Sequence, residues 1–341
     1  MIPYIFYYIF CLLLLFLNKK WIPILFPLIW FFFIGFRDGI GTDYYTTLAS
    51  VERSYIDLNN IGGSFVGYNL FDLEFDYKII SIFLCYFKID VNVFYVVISF
   101  IESWMIYFLL KKVKHKKILL VYFVTMFTLN YPMNICRSGF SVLTLVFALN
   151  YFSTERYIKR NITIVFSCLA HYASIPIIML SIFRFKNVKV NIIALLLIFA
   201  LFYTFKEMIF LRWPTDGDPS ISKFQGYGIK LLISTLLILS INYFVVEKKI
   251  FTQENVLLIA IMIATYMYNP LARLNMYYAF VVVFNNLFKI NNKKIGMNSM
   301  LLLFSIPILA LFSEWLEISR YVSLPTLGHW LPYKSLLFNL Y

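Results

Sequence analysis

The chain has 341 residues, of which 61% are hydrophobic and only 14% are charged. This apolar content exceeds what one soluble core can bury, so it excludes a soluble enzyme and predicts an all-α polytopic membrane protein. The formal net charge of +13 is carried by short basic clusters between apolar runs. Such clusters are typical of cytoplasmic loops in membrane proteins, and they argue against nucleic acid as a partner.

The apolar runs, taken in chain order, predict a single integral membrane domain over residues 1–341 that lies in the lipid bilayer. A spanning helix needs about 20 apolar residues, and fewer where neighbouring helices bury it. The first run lacks a basic leader and a small-residue cleavage site, so we expect it to remain as a helix. About eleven hydrophobic units result, at 2–17, 21–36, 91–110, 118–131, 138–152, 162–183, 190–205, 229–246, 254–268, 271–288 and 300–312.

The basic clusters set the predicted orientation of these units. Cytoplasmic loops of membrane proteins are enriched in lysine and arginine, which here occur at 19–20, 111–117, 156–160, 248–249 and 289–294. With these clusters inside, both termini face outward. Residues 37–90 then form an external lobe between the second and third spans, and residues 206–228 form a second external loop.

The unit at 162–183 conflicts with this orientation if it crosses the membrane once, because the basic residues after it would lie outside. The conflict disappears if the segment is a re-entrant hairpin that turns near His171 and Pro176 and returns to the cytoplasmic side. Non-helical backbone at membrane depth is tolerated only beside protein or a water-filled cavity. We therefore expect a cavity beside His171.

Three arginines lie at the outer ends of apolar runs, against the positive-inside bias: Arg37, Arg137 and Arg273. An ionised residue at membrane depth costs about 2.5–3.5 kcal/mol on insertion scales, so it is usually paired or functional. The planar guanidinium matches phosphate oxygens, and three of them would hold a diphosphate without a metal ion. Each arginine alone is explained as well by snorkelling or by a nearby acid, such as Asp38 for Arg37. The three together favour an anionic ligand.

Two residues are candidates for a general base. His171 is the only histidine inside an apolar segment, and near neutral pH an imidazole can take a proton from a sugar hydroxyl. The alternative is a hydrogen-bonded core histidine. Asp43 follows Gly41 and Thr42 at the start of the external lobe, and its alternative role is a helix N-cap.

No metal site or soluble cofactor is predicted. Asp216-Gly217-Asp218 has the Asp-x-Asp form that holds a divalent metal in many nucleotide-sugar glycosyltransferases, but the flanking prolines and its predicted outer position favour a turn. The four cysteines are isolated in apolar surroundings, which indicates small buried hydrophobes rather than ligands or disulfides. They are Cys11, Cys85, Cys136 and Cys168.

Five short blocks follow one another along nearly the whole chain, at 35–44, 134–140, 169–174, 272–278 and 331–335. The first contains Arg37-Asp38-Gly39-Ile40-Gly41-Thr42-Asp43, the second Arg137-Ser138-Gly139, and the third Ala170-His171-Tyr172. Together they resemble the EpsG-like family of Wzy-type polysaccharide polymerases of bacterial surface glycans. Two departures are Ser138, where the family is expected to have glutamine, and Ala173-Ser174, where it is expected to have Ser-Ala.

The resemblance implies a polymerase in the bacterial cytoplasmic (inner) membrane with its active site facing outward. It would transfer a growing glycan from polyprenyl diphosphate to the non-reducing end of a new lipid-linked repeat unit, as in O-antigen, capsule or exopolysaccharide synthesis. The arginines would bind the diphosphate, and His171 or Asp43 would activate the acceptor hydroxyl. A chain-length regulator is a protein partner that the resemblance allows. Four tyrosines would contact sugars or, alternatively, form an interfacial belt: Tyr44, Tyr45, Tyr277 and Tyr278.

Three other functions stay open on the sequence, and one of them, a structural scaffold of an assembly complex, would not need outward arginines. A flippase or transporter for the same lipid-linked oligosaccharide would also use arginines in a wet cavity, but it predicts functional charges at several depths along a pathway. A glycan ligase would share the diphosphate site and differ only in its acceptor.

Overall fold

Helices make up nearly all of the computed structural model, which describes residues 2–38, 44–60, 75–128, 136–152, 156–171, 222–249, 252–267, 272–323 and 334–335. The predicted all-α class is confirmed, apart from one pair of two-residue strands. Within the described ranges one helix, from Val91 to Lys112, is long and apolar enough to cross a membrane, and shorter apolar helices accompany it. The count of about eleven units stays a prediction.

The elements follow the apolar runs closely. In chain order they are α1 Ile2–Phe16, α2 Ile22–Gly35, β1 Arg37–Asp38, α3 Tyr44–Asn60, α4 Phe75–Tyr86, α5 Phe94–Lys112, α6 Lys116–Tyr122, α7 Cys136–Tyr151, α8 Tyr157–Ala170, α9 Ser222–Ile241, α10 Gln253–Met267, α11 Ala272–Lys289, α12 Met297–Ser323 and β2 Lys334–Ser335. A 3₁₀ turn precedes α5 and another follows α11. A five-residue π-helix continues both α6 and α9.

Predicted and observed boundaries agree to within two residues for five of the units. The units predicted at 2–17, 21–36, 138–152, 254–268 and 271–288 match α1, α2, α7, α10 and α11. The unit at 190–205, most of the loop at 206–228 and the second arm of the predicted hairpin lie outside the described residues.

The chain divides into two compact units. Unit 1 comprises Met1–Ile175 and Pro307–Tyr341, and unit 2 comprises Pro176–Ile306. Unit 1 therefore holds α1 to α8 and the strand pair, whereas unit 2 holds α9 to α11.

Helices α2 and α5 pack tightly against each other in unit 1, and a glycine makes this possible. A Cβ atom built on Gly35 would lie 2.2 Å from Ser99 Oγ and 3.2 Å from Ser99 Cβ. Only a residue without a side chain allows this approach. The end of α2 is thereby held beside the first turns of α5.

Helices α7 and α8 form an antiparallel hairpin closed by a pair of serines. Ser141 Oγ donates to the backbone oxygen of Ser167 at 2.7 Å, and Ser167 Oγ donates to the backbone oxygen of Ser141 at 2.7 Å. Both serines are fully buried. Small hydrogen-bonding residues of this kind allow close helix contact in membranes, so the two helices are held in one register.

The external lobe predicted at 37–90 contains β1, α3 and α4. Helix α3 packs on α4 and buries Tyr44 and Val51. Helix α4 buries Leu84 but leaves Ile79 and Phe83 about half exposed. Exposed apolar side chains on this helix suit contact with lipid rather than water.

Two short strands join segments from distant parts of the chain within unit 1. Strand β1 pairs with β2 in antiparallel register, with Arg37 opposite Ser335 and Asp38 opposite Lys334. The first and last of the five sequence blocks are thus neighbours.

Unit 2 is held by polar contacts around the end of α11. Lys289 Nζ lies 2.9 Å from Glu247 Oε1 and 2.5 Å from Glu254 Oε2. These three residues line a cavity of about 180 Å³ together with Tyr278 and Asn285. The side chains of Asn242 and Asn255, which lie close in sequence to Glu247 and Glu254, are hydrogen-bonded to each other.

Candidate active site

Arg37 is buried at the end of α2, although it is always charged. Only 1% of its surface is exposed. Its Cζ atom lies 4.7 Å from the centre of the Tyr95 ring and 5.9 Å from that of Tyr44. The two rings stack at 4.5 Å, and Tyr95 Oη donates to the backbone oxygen of Tyr44 at 2.9 Å. Contact with an aromatic face stabilises a guanidinium group without using its N–H hydrogen-bond donors.

Local structure on both sides places Arg37 there. Helix α2 ends at Gly35, which contacts Ser99 in α5, and Tyr95 lies one turn before Ser99 on the same helix. On the other side, the backbone of Arg37 is held in the strand pair opposite Ser335. The arginine is therefore fixed between a helix contact and a strand contact.

Aromatic rings connect the start of α5 with the start of α7. Tyr77 in α4 is fully buried, and its ring centre lies 5.4 Å from Phe94 and 6.4 Å from Phe140. Phe94 adjoins Tyr95, and Phe140 lies one turn after Arg137 in α7. The first turns of α5 and α7 therefore lie at the same end of unit 1.

The serine pair places His171 at this end too. Arg137 lies one turn before Ser141 in α7, and His171 lies one turn after Ser167 at the end of α8. Because the two helices are antiparallel, both residues lie on the same side of the serine pair. Helix α8 ends at Ala170, and His171 follows in extended conformation with φ −161° and ψ 109°. Both Arg137 and His171 are half-buried.

We call this region the arginine end of unit 1: the C-terminal ends of α2 and α8 and the N-terminal ends of α5 and α7. Three residues predicted from sequence lie at this end, namely Arg37, Arg137 and His171. The opposite end differs in chemistry, since Lys112 Nζ donates to the backbone oxygens of Asn150 and Tyr151 at 2.8 Å each. There the cation caps helix carbonyls.

The other predicted site residues are placed only in part. Asp43 lies outside the described residues, whereas Arg273 and Tyr45 lie in the first turns of α11 and α3, with side chains outside that description. Tyr277 and Tyr278 belong to unit 2, where both are buried in α11. Their sugar-binding role stays a prediction.

Two buried ionisable residues were missed by the sequence reasoning. Glu102 is the single acid in α5, and Lys78 lies in α4; 1% and 2% of their surfaces are exposed. The insertion cost that singled out the arginines applies equally to a carboxylate in an apolar run. That signal was available for Glu102, whereas Lys78 stood in a segment that the pattern assigned to a polar lobe.

The part of the chain that the structure describes contains no cluster of side chains that could hold a metal ion. No group of three or more histidine, cysteine or acidic side chains comes together there. Cys11, Cys85 and Cys168 form no disulfide among the described residues.

Sequence comparison identifies the family to which this architecture belongs. Residues 19–335 match the sequence profile of the EpsG family, which is a Wzy-like polymerase-associated family. No curated protein and no solved structure matches the chain. Because the match covers nearly the whole chain, the chain belongs to the EpsG family, whose members are membrane proteins of polysaccharide biosynthesis.

Proposed function

We propose that this EpsG-family chain polymerises lipid-linked oligosaccharide repeat units at the outer face of the bacterial cytoplasmic membrane. The donor is a growing glycan on polyprenyl diphosphate, and the acceptor is the non-reducing sugar of a new lipid-linked repeat unit. The observation that carries the proposal is the grouping of Arg37, Arg137 and His171 at the arginine end of unit 1.

The proposed step is a glycosyl transfer with a diphosphate leaving group. The oxygen of the acceptor hydroxyl attacks the anomeric carbon of the donor and forms the new glycosidic bond. The bond from that carbon to the diphosphate oxygen breaks, and its electron pair leaves with the polyprenyl diphosphate. A base receives the proton of the acceptor hydroxyl.

Arginines suit the leaving group in this reaction. Negative charge grows on the diphosphate as the bond breaks, and fixed guanidinium donors stabilise it in a site from which water is excluded. Arg37 and Arg137 are the proposed diphosphate ligands in unit 1. Arg273 is a third proposed ligand, argued from its sequence block alone.

The base is proposed to be His171 or Asp43. His171 has the stronger structural support, because the serine pair holds the end of α8 beside the start of α7. Asp43 is supported by its place in the first block, five residues after the strand that contains Asp38.

The flippase and the ligase are the rival functions. A translocation pathway needs charges at successive depths, whereas Arg37 and Arg137 lie at the same end of unit 1. The ligase differs only in its acceptor, so an experiment on the product must separate it from the polymerase.

The product is read from the surface glycan of a strain that lacks this gene. We expect the deletion to leave glycan that is capped with a single repeat unit, and the wild-type gene to restore the ladder of longer chains on a gel. If the deletion removes even single-unit glycan, export or ligation has failed and the proposal is wrong.

A matched pair of arginine variants tests the site in the same strain. Arg137→Ala removes a cation from the arginine end, and Arg156→Ala removes an exposed one from the opposite end of the same helix hairpin. We expect only Arg156→Ala to restore the ladder. Restoration by both variants, at equal protein levels in the membrane, would remove Arg137 from the proposed site.

A further inference from the structure

Arg160 is a permanent cation for which the described residues provide no acceptor. It lies in the first turn of α8 and is half-buried. Its Nε atom is fully buried and has no hydrogen-bond partner in the part of the chain that the structure describes. A guanidinium group carries five N–H donors, and a charge that is partly removed from water without a partner is unfavourable. An anion bound beside Arg160 would supply the missing acceptor.

Helix geometry directs Arg160 toward α7. Arg160, Ile164 and Ser167 follow one another at spacings of four and three residues, so they share one face of α8. Ile164 and Ser167 are buried, and Ser167 is hydrogen-bonded to Ser141 of α7. Arg160 therefore lies on the side of α8 that packs against α7, about two turns from the serine pair.

The end of α5 reaches the same place in unit 1. Ten residues separate Ser141 from the last residue of α7, and ten separate Ser167 from the first residue of α8, so these two helix ends lie level in the antiparallel hairpin. Lys112 at the end of α5 donates to the backbone oxygens of Asn150 and Tyr151. We call the C-terminal ends of α5 and α7 and the N-terminal ends of α6 and α8 the basic end of unit 1.

Acidic residues are scarce around the basic end. Five lysines lie between residues 111 and 117, and Lys159 adjoins Arg160. From residue 103 to residue 206 the sequence contains one acid, Glu155, which lies outside the described residues. Clustered charges of one sign create a field that attracts ligands of the opposite sign. The basic end therefore favours an anionic ligand.

An exposed apolar strip on α8 shows what kind of anion fits. The strip begins in the same turn as Arg160, and between 46% and 58% of the surface of each of its members is exposed. It lies on the side of α8 that faces away from α7, and Lys159 is exposed at its border. A lipid whose chains follow the strip has its head group at the start of α8, near Lys159 and Arg160. The members of the strip are Ile158, Ile162, Val165 and Phe166.

We propose that the basic end of unit 1 binds an anionic phospholipid of the cytoplasmic leaflet. Arg160 binds the phosphate, because its planar fork matches phosphate oxygens. Lys159 adds charge from the exposed side, and the acyl chains lie on the apolar strip. Basic pockets between membrane helices on the cytoplasmic side recognise anionic head groups. This site lies at the opposite end of unit 1 from the arginine end, so it does not depend on the proposed glycosyl transfer.

The test is lipid binding to the purified full-length protein in detergent, measured by native mass spectrometry. Two probes with the same acyl chains are compared: dioleoyl-phosphatidylglycerol, which is anionic, and dioleoyl-phosphatidylcholine, which has no net charge. We expect the wild type to bind the anionic lipid about tenfold more tightly, since each nearby cation adds to the attraction. Equal affinity for the two lipids would overturn the proposal.

Matched variants distinguish this site from general surface charge. Arg160→Gln removes the half-buried cation, and we expect it to weaken binding of phosphatidylglycerol about fivefold. Arg53→Gln removes an exposed arginine from α3, and Lys20→Gln removes an exposed lysine from another predicted cytoplasmic cluster. Both controls should bind like the wild type. An equal loss in Lys20→Gln and Arg160→Gln would mean that the basic end is not a specific site.

A variant on the exposed side avoids the packed face of α8. Lys159→Gln leaves the contact with α7 intact, and we expect it to weaken phosphatidylglycerol binding about threefold at an unchanged melting temperature. Unchanged affinity in both Lys159→Gln and Arg160→Gln would overturn the proposal. Excess undecaprenyl diphosphate should not displace the bound phosphatidylglycerol. Displacement would assign the site to the lipid carrier of the glycan and would equally overturn it.

Discussion

Gly35 sets how closely the helix that ends beside Arg37 approaches α5. We expect Gly35→Ala to lower the free energy of unfolding by about 1–3 kcal/mol, the usual effect of overpacking. The added methyl group meets Ser99 Cβ at 3.2 Å, so the helices must separate. The melting temperature of the protein in detergent measures the change.

A second substitution tests whether Ser99 is the cause. Ser99→Gly alone destabilises α5 by about 1 kcal/mol through helix propensity, but it removes the atoms that the new methyl group would meet. In that background we expect Gly35→Ala to cause a much smaller loss. An undiminished loss would mean that the close contact lies elsewhere.

Tyr95 is the ring on which the Arg37 guanidinium rests. We expect Tyr95→Phe to keep most activity, because it keeps the aromatic ring and loses the hydrogen bond to the Tyr44 backbone oxygen, which contributes about 1 kcal/mol. Tyr95→Leu removes the aromatic face and should lower polymerisation about tenfold or more. Polymerisation by membranes with lipid-linked repeat units separates the two variants, and equal activity would show that the ring face is dispensable.

Individual residues of the candidate site stand out in the sequence where a charged residue adjoins an apolar run. Arg37 and Arg137 stand out because each is a permanent cation beside an apolar run. The aromatic support by Tyr95 was not predictable, because many rings occur in this chain and nothing in the sequence distinguishes the one that faces the arginine. The partner of a charge depends on helix packing, which sequence periodicity does not determine.

The α7–α8 hairpin is the element that holds Arg137 and His171 together. Each of Ser141→Ala and Ser167→Ala removes one of two reciprocal hydrogen bonds, and we expect each to lower stability by about 0.6–1.7 kcal/mol. Both serines belong to one pair, so the double variant should lose less than the sum. Melting temperatures of the three variants provide the measurement, and strict additivity would mean that the two bonds form independently.

The strand pair places β2 beside β1, next to the arginine end. We expect a protein that lacks residues 336–341 to keep its activity, because β2 stays intact and the family match ends at residue 335. A protein that lacks residues 331–341 should lose polymerisation, since β1 then has no partner for the backbone of Arg37. The glycan ladder at matched protein levels measures both, and full activity of the longer deletion would contradict the role of the pair.

Helices could be predicted from the sequence far better than the strand pair. Helices α1, α2 and α7 each coincide with an apolar run, and their first and last residues lie close to the ends of that run. Strands β1 and β2 contain two residues each, so they have no alternation to detect, and they pair across almost the whole chain. The unit predicted at 118–131 includes α6 and the π-helix that continues it, but a π-helix leaves no distinct hydrophobic pattern by which to tell the two apart.

The distribution of charge along the whole chain predicts that the region of Glu52 faces outward and that the region of Lys111 faces the cytoplasm. We expect Glu52→Cys to react with a membrane-impermeant thiol reagent in intact cells, and Lys111→Cys to react only after the membrane is opened. Both positions are exposed, and the four native cysteines are replaced first. The opposite pattern would reverse the proposed orientation.

The pairing of β1 with β2 also orders events in time during synthesis. Arg37 leaves the ribosome early, yet the strand that holds its backbone opposite Ser335 is translated about three hundred residues later. Closing such a long loop is slow compared with forming a local helix hairpin. Nascent chains therefore insert their helices first and complete the arginine end last.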